Sequence, residues 1–271
     1  MSDFKPFYEI QKNSSSADIL FVHGNLASRR WWYPVAEILK KELQADGQTL
    51  NKSMVMGDLR GCGQTPNPTP GKMNVDDLVN DQIQIAEQAG LQNALVIGHS
   101  AGGLISALML ARRADLFKAA ILVDPVGPTG LLGVPDDIEM KYQMMAASRD
   151  IATQVVGFTI YNNDPEKSFF KNEIMDDAMT ALKNTGIDLV RALQNIDYSS
   201  EIAKVKQPVI IYHGAHDWVL DEGRATDHHK LMANSKFIKL PNNGHCMVYE
   251  NPEILAVDAC KFIKENQKIL S

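Results

Sequence analysis

Five short, unbroken apolar runs place the strongest limit on what this chain can fold into. They are Ile19-Leu-Phe-Val22, Met54-Val-Met56, Ala94-Leu-Val-Ile97, Ala120-Ile-Leu-Val123 and Val209-Ile-Ile-Tyr212. A strand with one wet face alternates apolar and polar residues. A run without alternation needs cover on both faces, which is the condition of a parallel sheet held between helices. Phe237-Ile-Lys-Leu240 is a weaker sixth run, and one further strand, around Phe7–Gln11, is expected before Ile19. Helical patterns fall between the runs at Trp32–Leu43, Val75–Ala89, Leu104–Arg113, Glu222–Met232 and Pro252–Asn266. This alternation predicts an α/β fold with a doubly wound, mostly parallel sheet.

One stretch breaks the rhythm. From Gly127 to Lys206 no strand pattern appears, while helical stretches recur around Ile138–Ala147, Ile151–Phe158, Glu173–Leu182 and Leu189–Leu193. Residues 127–206 are therefore expected to form a helical cap inserted into a core made of residues 1–126 and 207–271, and a chain of 271 residues suits that plan. Met140, Met144, Met145, Met175 and Met179 lie in the insert. Methionine fills irregular apolar space, so some of them are candidates for lining a substrate pocket. Ser14-Ser-Ser16 is the one low-complexity tract, and Asn67-Pro-Thr-Pro-Gly71 reads as a turn-rich loop.

Charge narrows the partners. With 27 Lys+Arg against 33 Asp+Glu the net charge is -6, and basic residues adjoin only in pairs such as Arg29-Arg30, too short to make a basic patch. Nucleic acid and anionic membrane surfaces both call for a clustered basic surface, so neither is expected. No apolar run reaches the ~18 residues of a membrane span, and the first residues, Met1–Tyr8, carry no secretory pattern. Cys62, Cys246 and Cys260 are scattered without metal-type spacing, which suits a reducing, cytoplasmic setting. No metal or organic cofactor is expected, and oligomeric state is left open.

The chemistry concentrates at Gly98-His99-Ser100-Ala101-Gly102, which follows a buried strand and precedes a helix. A G-x-S-x-G sequence in that context makes a sharp turn that raises the serine hydroxyl above the sheet. The helix start behind it supplies unpaired N–H groups and positive potential. A serine hydroxyl needs a base to become a useful nucleophile. His245, in the loop after the last strand, lies at the same sheet edge; His216 is the second candidate. His228 and His229 read as solvated helix residues, whereas His23 and His99 flank strand ends and are expected to make fixed hydrogen bonds. The imidazole in turn needs an acceptor. Asp217, after Val209–Tyr212, and Asp124, after Ala120–Val123, both meet that need. The order Ser100, Asp217, His245 is the one this arrangement favours.

Together these motifs resemble the α/β-hydrolase fold family, specifically its serine esterase and lipase-like branch. The likeness runs from Ile19 to the C-terminal helix. It is carried by His23-Gly24-Asn25, Asp58-Leu-Arg60-Gly-Cys-Gly63, the Ser100 turn, and the Asp217 and Gly244-His245 loops. The resemblance implies an oxyanion hole from the backbone amides of Asn25 and Ala101. Leu26, Trp31, Trp32, His99 and Met144 are expected to line a substrate pocket. Relatives commonly place a hairpin before the strand equivalent to Ile19–Val22, so a shortened first edge is expected here. The His-Gly-Asn loop is also similar to that of haloalkane dehalogenases, whose nucleophile is an aspartate. A serine would leave an alkyl ether that water does not cleave, which disfavours that reaction.

The expected activity is hydrolysis of a small carboxylic ester or lactone, apolar in its acyl part or aromatic, through an acyl-enzyme. Amide, carbon–carbon and perhydrolase chemistry on the same triad, or a non-catalytic small-molecule receptor, are the alternatives. Cys246, beside His245, is expected to confer sensitivity to thiol reagents.

Overall fold

In the computed structural model, which describes residues 4–13, 18–45 and 52–271, the unbroken runs do form one sheet. Its strands are β1 (Tyr8–Asn13), β2 (Ile19–Val22), β3 (Lys52–Gly57), β4 (Ala94–His99), β5 (Phe117–Val123), β6 (Val209–Gly214) and β7 (Ser235–Leu240). They are arranged in the order β1-β3-β2-β4-β5-β6-β7. β1 runs antiparallel to β3, and every other pairing is parallel. Among the described residues, the first edge therefore holds a single strand before β2 rather than a hairpin. The Ser14–Ser16 tract and Met1–Asp3 lie outside the described residues.

The absence of alternation has the expected cause. Within one run, neighbouring side chains enter opposite layers. Ile19, Phe21, Leu95, Ile97 and Ile121 pack with α1 (Tyr33–Ala45) and α11 (Pro252–Glu265). Leu20, Val22, Val96, Leu122 and Ile211 pack with α2 (Val75–Gln88) and α3 (Ala101–Arg112). Both faces are dry, so both sets are apolar.

Between β5 and β6 the chain is helical: α4 (Ile138–Ala147), α5 (Arg149–Phe158), a π turn at Phe170–Ile174, α6 (Met175–Asn184), α7 (Asp188–Ala192) and α8 (Ser199–Ile202). No strand interrupts these elements among the described residues. α4 packs on α5 and α6. The segment is tied to the turn after β2, where Ser28 Oγ donates to Asp177 at 2.6 Å and the Arg30 guanidinium pairs with the same carboxylate. Arg29 pairs with Asp58 at 2.8 Å and Glu9 at 2.7 Å. The Arg29-Arg30 pair is thus committed to internal carboxylates. The remaining helices are α9 (Glu222–Leu231), α10 (Met247–Glu250) and α12 (Gln267–Leu270).

α9 corrects one expectation. His228, read as solvated, is fully buried, with Nε2 2.9 Å from the Val126 carbonyl. Burial pushes its pKa down to about 4, so the ring stays neutral. His229 stays at the surface, 2.9 Å from Ser235 Oγ.

Candidate active site

The polar residues converge where β2, β4, β5 and β6 end. Ser100 follows β4 directly with φ 56° and ψ -119°, a conformation that non-glycine residues rarely adopt. The turn is held by its N–H on Val123 O at 2.9 Å and by its carbonyl, which accepts from Gly103 and Val126. The flanking glycines are steric requirements. A Cβ at Gly98 would sit 2.2 Å from Gly102 O, and one at Gly102 would sit 2.3 Å from Val22 O. α3 begins at Ala101, so its first amides have no acceptor within the helix.

Ser100, His245 and Asp217 form a continuous hydrogen-bonded chain. His245 Nε2 lies 3.1 Å from Ser100 Oγ, and Nδ1 lies 2.8 Å from Asp217 Oδ2. A carboxylate only accepts, so Nδ1 carries the proton and Nε2 faces the serine as acceptor. Asp217 Oδ1 accepts from the amides of Val219 at 2.7 Å and Leu220 at 2.9 Å. Burial works to raise the Asp217 pKa, but His245 and the two amides outweigh it and hold the carboxyl below its ordinary value.

Of the competing candidates, His216 stacks flat on Tyr161, with ring centroids 4.2 Å apart. Asp124 accepts from the Gly214 amide at 2.8 Å and lies 3.5 Å from His213 Nδ1. It does not bond to His245. Burial, then the charge of Asp217, lifts its pKa well above the ordinary carboxyl range. Asp124, His213 and Asp217 are close enough to share a cation. However, Asp217 Oδ2 bonds His245 and Asp124 Oδ1 bonds Gly214, so the carboxylate oxygens that would face a cation are already engaged.

His23 and His99 make the fixed bonds expected of them. Leu59 N–H donates to His23 Nε2 at 2.9 Å, which makes Nδ1 the donor to Gly24 O at 2.7 Å. His99 Nε2 lies 2.8 Å from the His245 carbonyl, and burial pushes its pKa down to about 3. The Asp58–Gly63 motif braces the same loops. Asp58 accepts from the Arg29 and Gln64 amides at 2.8 Å, and a Cβ at Gly63, whose φ is +51°, would lie 2.2 Å from its carboxylate.

Above Ser100 opens a largely apolar cavity of about 480 Å³. Asn25, Leu26, Trp31, His99, Met144 and Cys246 all line it. Trp32 does not. It is fully buried against Phe21, with ring centroids 5.2 Å apart, because the 3-10 turn at Arg29–Trp32 points the two tryptophans to different sides. A second cavity of about 270 Å³ shares Asn25, Ser100, Ile138, Tyr142 and Val219 with the first and extends toward Arg224. Tyr142 was not anticipated. Its hydroxyl accepts from Asn25 Nδ2 at 2.7 Å, linking α4 to the loop after β2. Ile138, Tyr142 and Met145 recur at helical spacing and all face the first cavity, a periodicity that was available in the sequence. Cys246 is 2% exposed, and burial raises its thiol well above the ordinary value, which opposes the thiolate that reagents attack.

Known proteins resemble this chain across nearly its whole length. The model of the alpha/beta hydrolase family matches residues 19–259. The AB hydrolase superfamily protein YisY of Bacillus subtilis (strain 168) is 27% identical over 248 residues, spanning 87% of each chain. The bifunctional esterase/perhydrolase DCH of Acinetobacter calcoaceticus is 24% identical over 273 residues, spanning 95% of each. Among solved structures, an esterase from Exiguobacterium antarcticum superposes with a TM-score of 0.77 at 18% identity, covering 97% of this chain and 100% of that one. The chain belongs to the alpha/beta hydrolase family.

Proposed function

We propose that this protein is a serine hydrolase of small carboxylic esters or lactones. The observation that carries the reading is the Ser100–His245–Asp217 chain, with distances of 3.1 Å and 2.8 Å, at the floor of an apolar cavity. His245 takes the Ser100 proton as the oxygen attacks the substrate carbonyl. The amides of Asn25 and Ala101 hold the developing oxyanion, each contributing about 3 kcal/mol in comparable sites. The imidazolium, steadied by Asp217, then protonates the leaving alcohol. In the second half-reaction His245 activates water, which attacks the acyl-serine, and the acid is released with Ser100 restored.

Residues 127–206 act in this reading as a cap over a core made of 1–126 and 207–271. Met144, Ile151, Val155 and Val156 present apolar surface to the substrate, which favours an uncharged acyl or aromatic group. No helix among the described residues is long and apolar enough to cross a membrane. The three cysteines lie buried at separate places, which fits a reducing, cytoplasmic setting. A perhydrolase side reaction is the second reading, favoured by the relative from Acinetobacter calcoaceticus, whose name couples the two activities.

The test is hydrolysis of p-nitrophenyl acetate, butyrate and octanoate by the wild type and Ser100→Ala, with intact-mass detection of a fluorophosphonate adduct. Turnover lost with Ser100, and one adduct mapped to it, supports the proposal. Neither turnover nor adduct in the wild type rejects it. Added hydrogen peroxide diverting the acyl group to peracid supports the second reading.

A further inference from the structure

Glu250 ends α10, and its side chain reaches back to the turn that carries His245. One carboxylate oxygen accepts from the amides of Tyr161 at 2.9 Å and Cys246 at 3.1 Å. The other accepts from the Gly244 amide at 2.6 Å and from Asn243 Nδ2 at 3.4 Å. The amides on both sides of His245 therefore end on a single carboxylate. Two points on the chain flanking one residue fix its Cα and the direction of its side chain far better than one does.

The remaining amide belongs to the helical segment between β5 and β6. Tyr161 gives its N–H to Glu250, while its ring lies flat on His216, at 4.2 Å and an interplanar angle of 2°. His216 precedes Asp217, and its amide donates to Asn243 O at 2.8 Å. Tyr161 thus touches the base loop through its backbone and the acid loop through its ring. The glycine before His245 answers to the same contact. A Cβ at Gly244 would lie 3.0 Å from Tyr161 Cβ and 3.1 Å from Glu250 Oε1. Its backbone is not in the left-handed region, so the need for glycine is one of space alone.

We propose that Glu250 is a positioning residue for His245, and that through Tyr161 it makes the alignment of His245 with Ser100 and Asp217 depend on the seating of the helical segment. This rests on the reading of those three as the reacting groups. An ionised carboxylate accepts all four bonds at once. The amide of Glu250→Gln turns donors toward N–H groups that need acceptors.

The test compares kcat and KM for p-nitrophenyl butyrate in wild type, Glu250→Gln, Glu250→Asp and Gly244→Ala. Alongside, proton NMR follows the downfield resonance of the His245 Nδ1–H bound to Asp217. A displaced base lowers kcat by about 10- to 100-fold in Glu250→Gln, with KM within about twofold. The resonance broadens or disappears in that variant. Glu250→Asp recovers part of the loss, and Gly244→Ala moves kcat in the same direction while leaving the carboxylate in place. Wild-type kcat and an unchanged resonance in folded Glu250→Gln and Gly244→Ala overturn the proposal. If Glu250→Gln does not fold, Gly244→Ala decides alone. A wild type without turnover whose resonance is nevertheless lost in Glu250→Gln rejects the ester reading and keeps the clamp.

Discussion

The sheet and the helical segment beside it handle apolar residues in opposite ways. Every side chain of β2 and β4 is buried, and the pairs they form enter two dry layers. The segment instead leaves Leu132, Met140, Met144, Val155 and Phe158 exposed, and Met144 and Val155 among them face the cavity over Ser100. Strain follows the same division. Leu26, Ser100 and Asp124, none of them glycine or asparagine, have positive φ, and they stand at the ends of the neighbouring strands β2, β4 and β5. In the segment, Asn162 and Asn195 are the non-glycine residues with positive φ, and asparagine tolerates it. A densely packed platform can hold unfavourable backbone angles because everything around them is fixed. The helices supply adaptable surface, with Met144 and Met145 both at the cavity.

This contrast can be broken most severely at the platform edge. Ser100→Ala should lower turnover by about 10⁴-fold or more while the melting temperature stays near that of the wild type. Ester assay and calorimetry on one preparation check both. Asp217→Asn should cost about 10⁴-fold, because the His245 tautomer is lost, whereas Asp124→Asn should leave turnover near the wild-type level. Equal losses in the two would place Asp124 in the proton path and remove the distinction drawn here.

Stability sharpens the comparison next. Phe21→Ala, in β2, should destabilise by about 3–5 kcal/mol by opening a cavity between two layers. Met144→Ala, half exposed in α4, should cost less than about 1 kcal/mol and instead raise KM for the octanoate ester more than for the acetate. Urea titrations and the ester series measure both. A Met144→Ala penalty as large as that of Phe21→Ala would show that the segment is packed like the sheet.

Protonation of buried histidines should act on the platform alone. His23, His99 and His228 are buried and neutral, their pKa values lowered by burial, to about 3 for His99 and about 4 for His228. The segment from 127 to 206 contains no histidine. In the unfolded chain each ring takes a proton below its ordinary value of 6.5, and the folded protein refuses it. Stability therefore falls as pH drops from about 6.5 toward 4, by up to about 3 kcal/mol each for His99 and His228, with His23 acting in the same direction. Urea unfolding at several pH values, with His228→Gln flattening the slope, tests the sign. The smallest effect expected is at Cys246, whose buried, protonated thiol should react with maleimide more slowly than an exposed cysteine.

How far the sequence could be read follows from how local each signal is. Ser100 was legible because strand, glycines, serine and helix all fall within a few residues. His245 and Asp217 were legible by their position after the last strands, although nothing local separates Asp217 from Asp124. That choice depends on which carboxylate reaches His245 across the fold. Trp31 and Trp32 are adjacent, and only their angular position around a 3-10 turn decides which one meets the cavity. His228 looked like a wet helix residue because its partner, the Val126 carbonyl, lies 102 residues away. The Asn25–Tyr142 contact spans 117 residues, so neither residue alone suggests it.

The place where the helical segment leaves the sheet has a consequence for ancestry. β5 and β6 are neighbours, paired from Ala120 with Val209 to Val123 with Tyr212. The chain departs at one point and returns beside it, so closing the sheet depends only weakly on how much lies between. Residues 127–206 can therefore lengthen, shrink or be exchanged for another insert while β5 still meets β6. On the proposed reading of this segment as a substrate-facing cap, substrate preference and chemistry are thus open to inheritance from different sources within one gene.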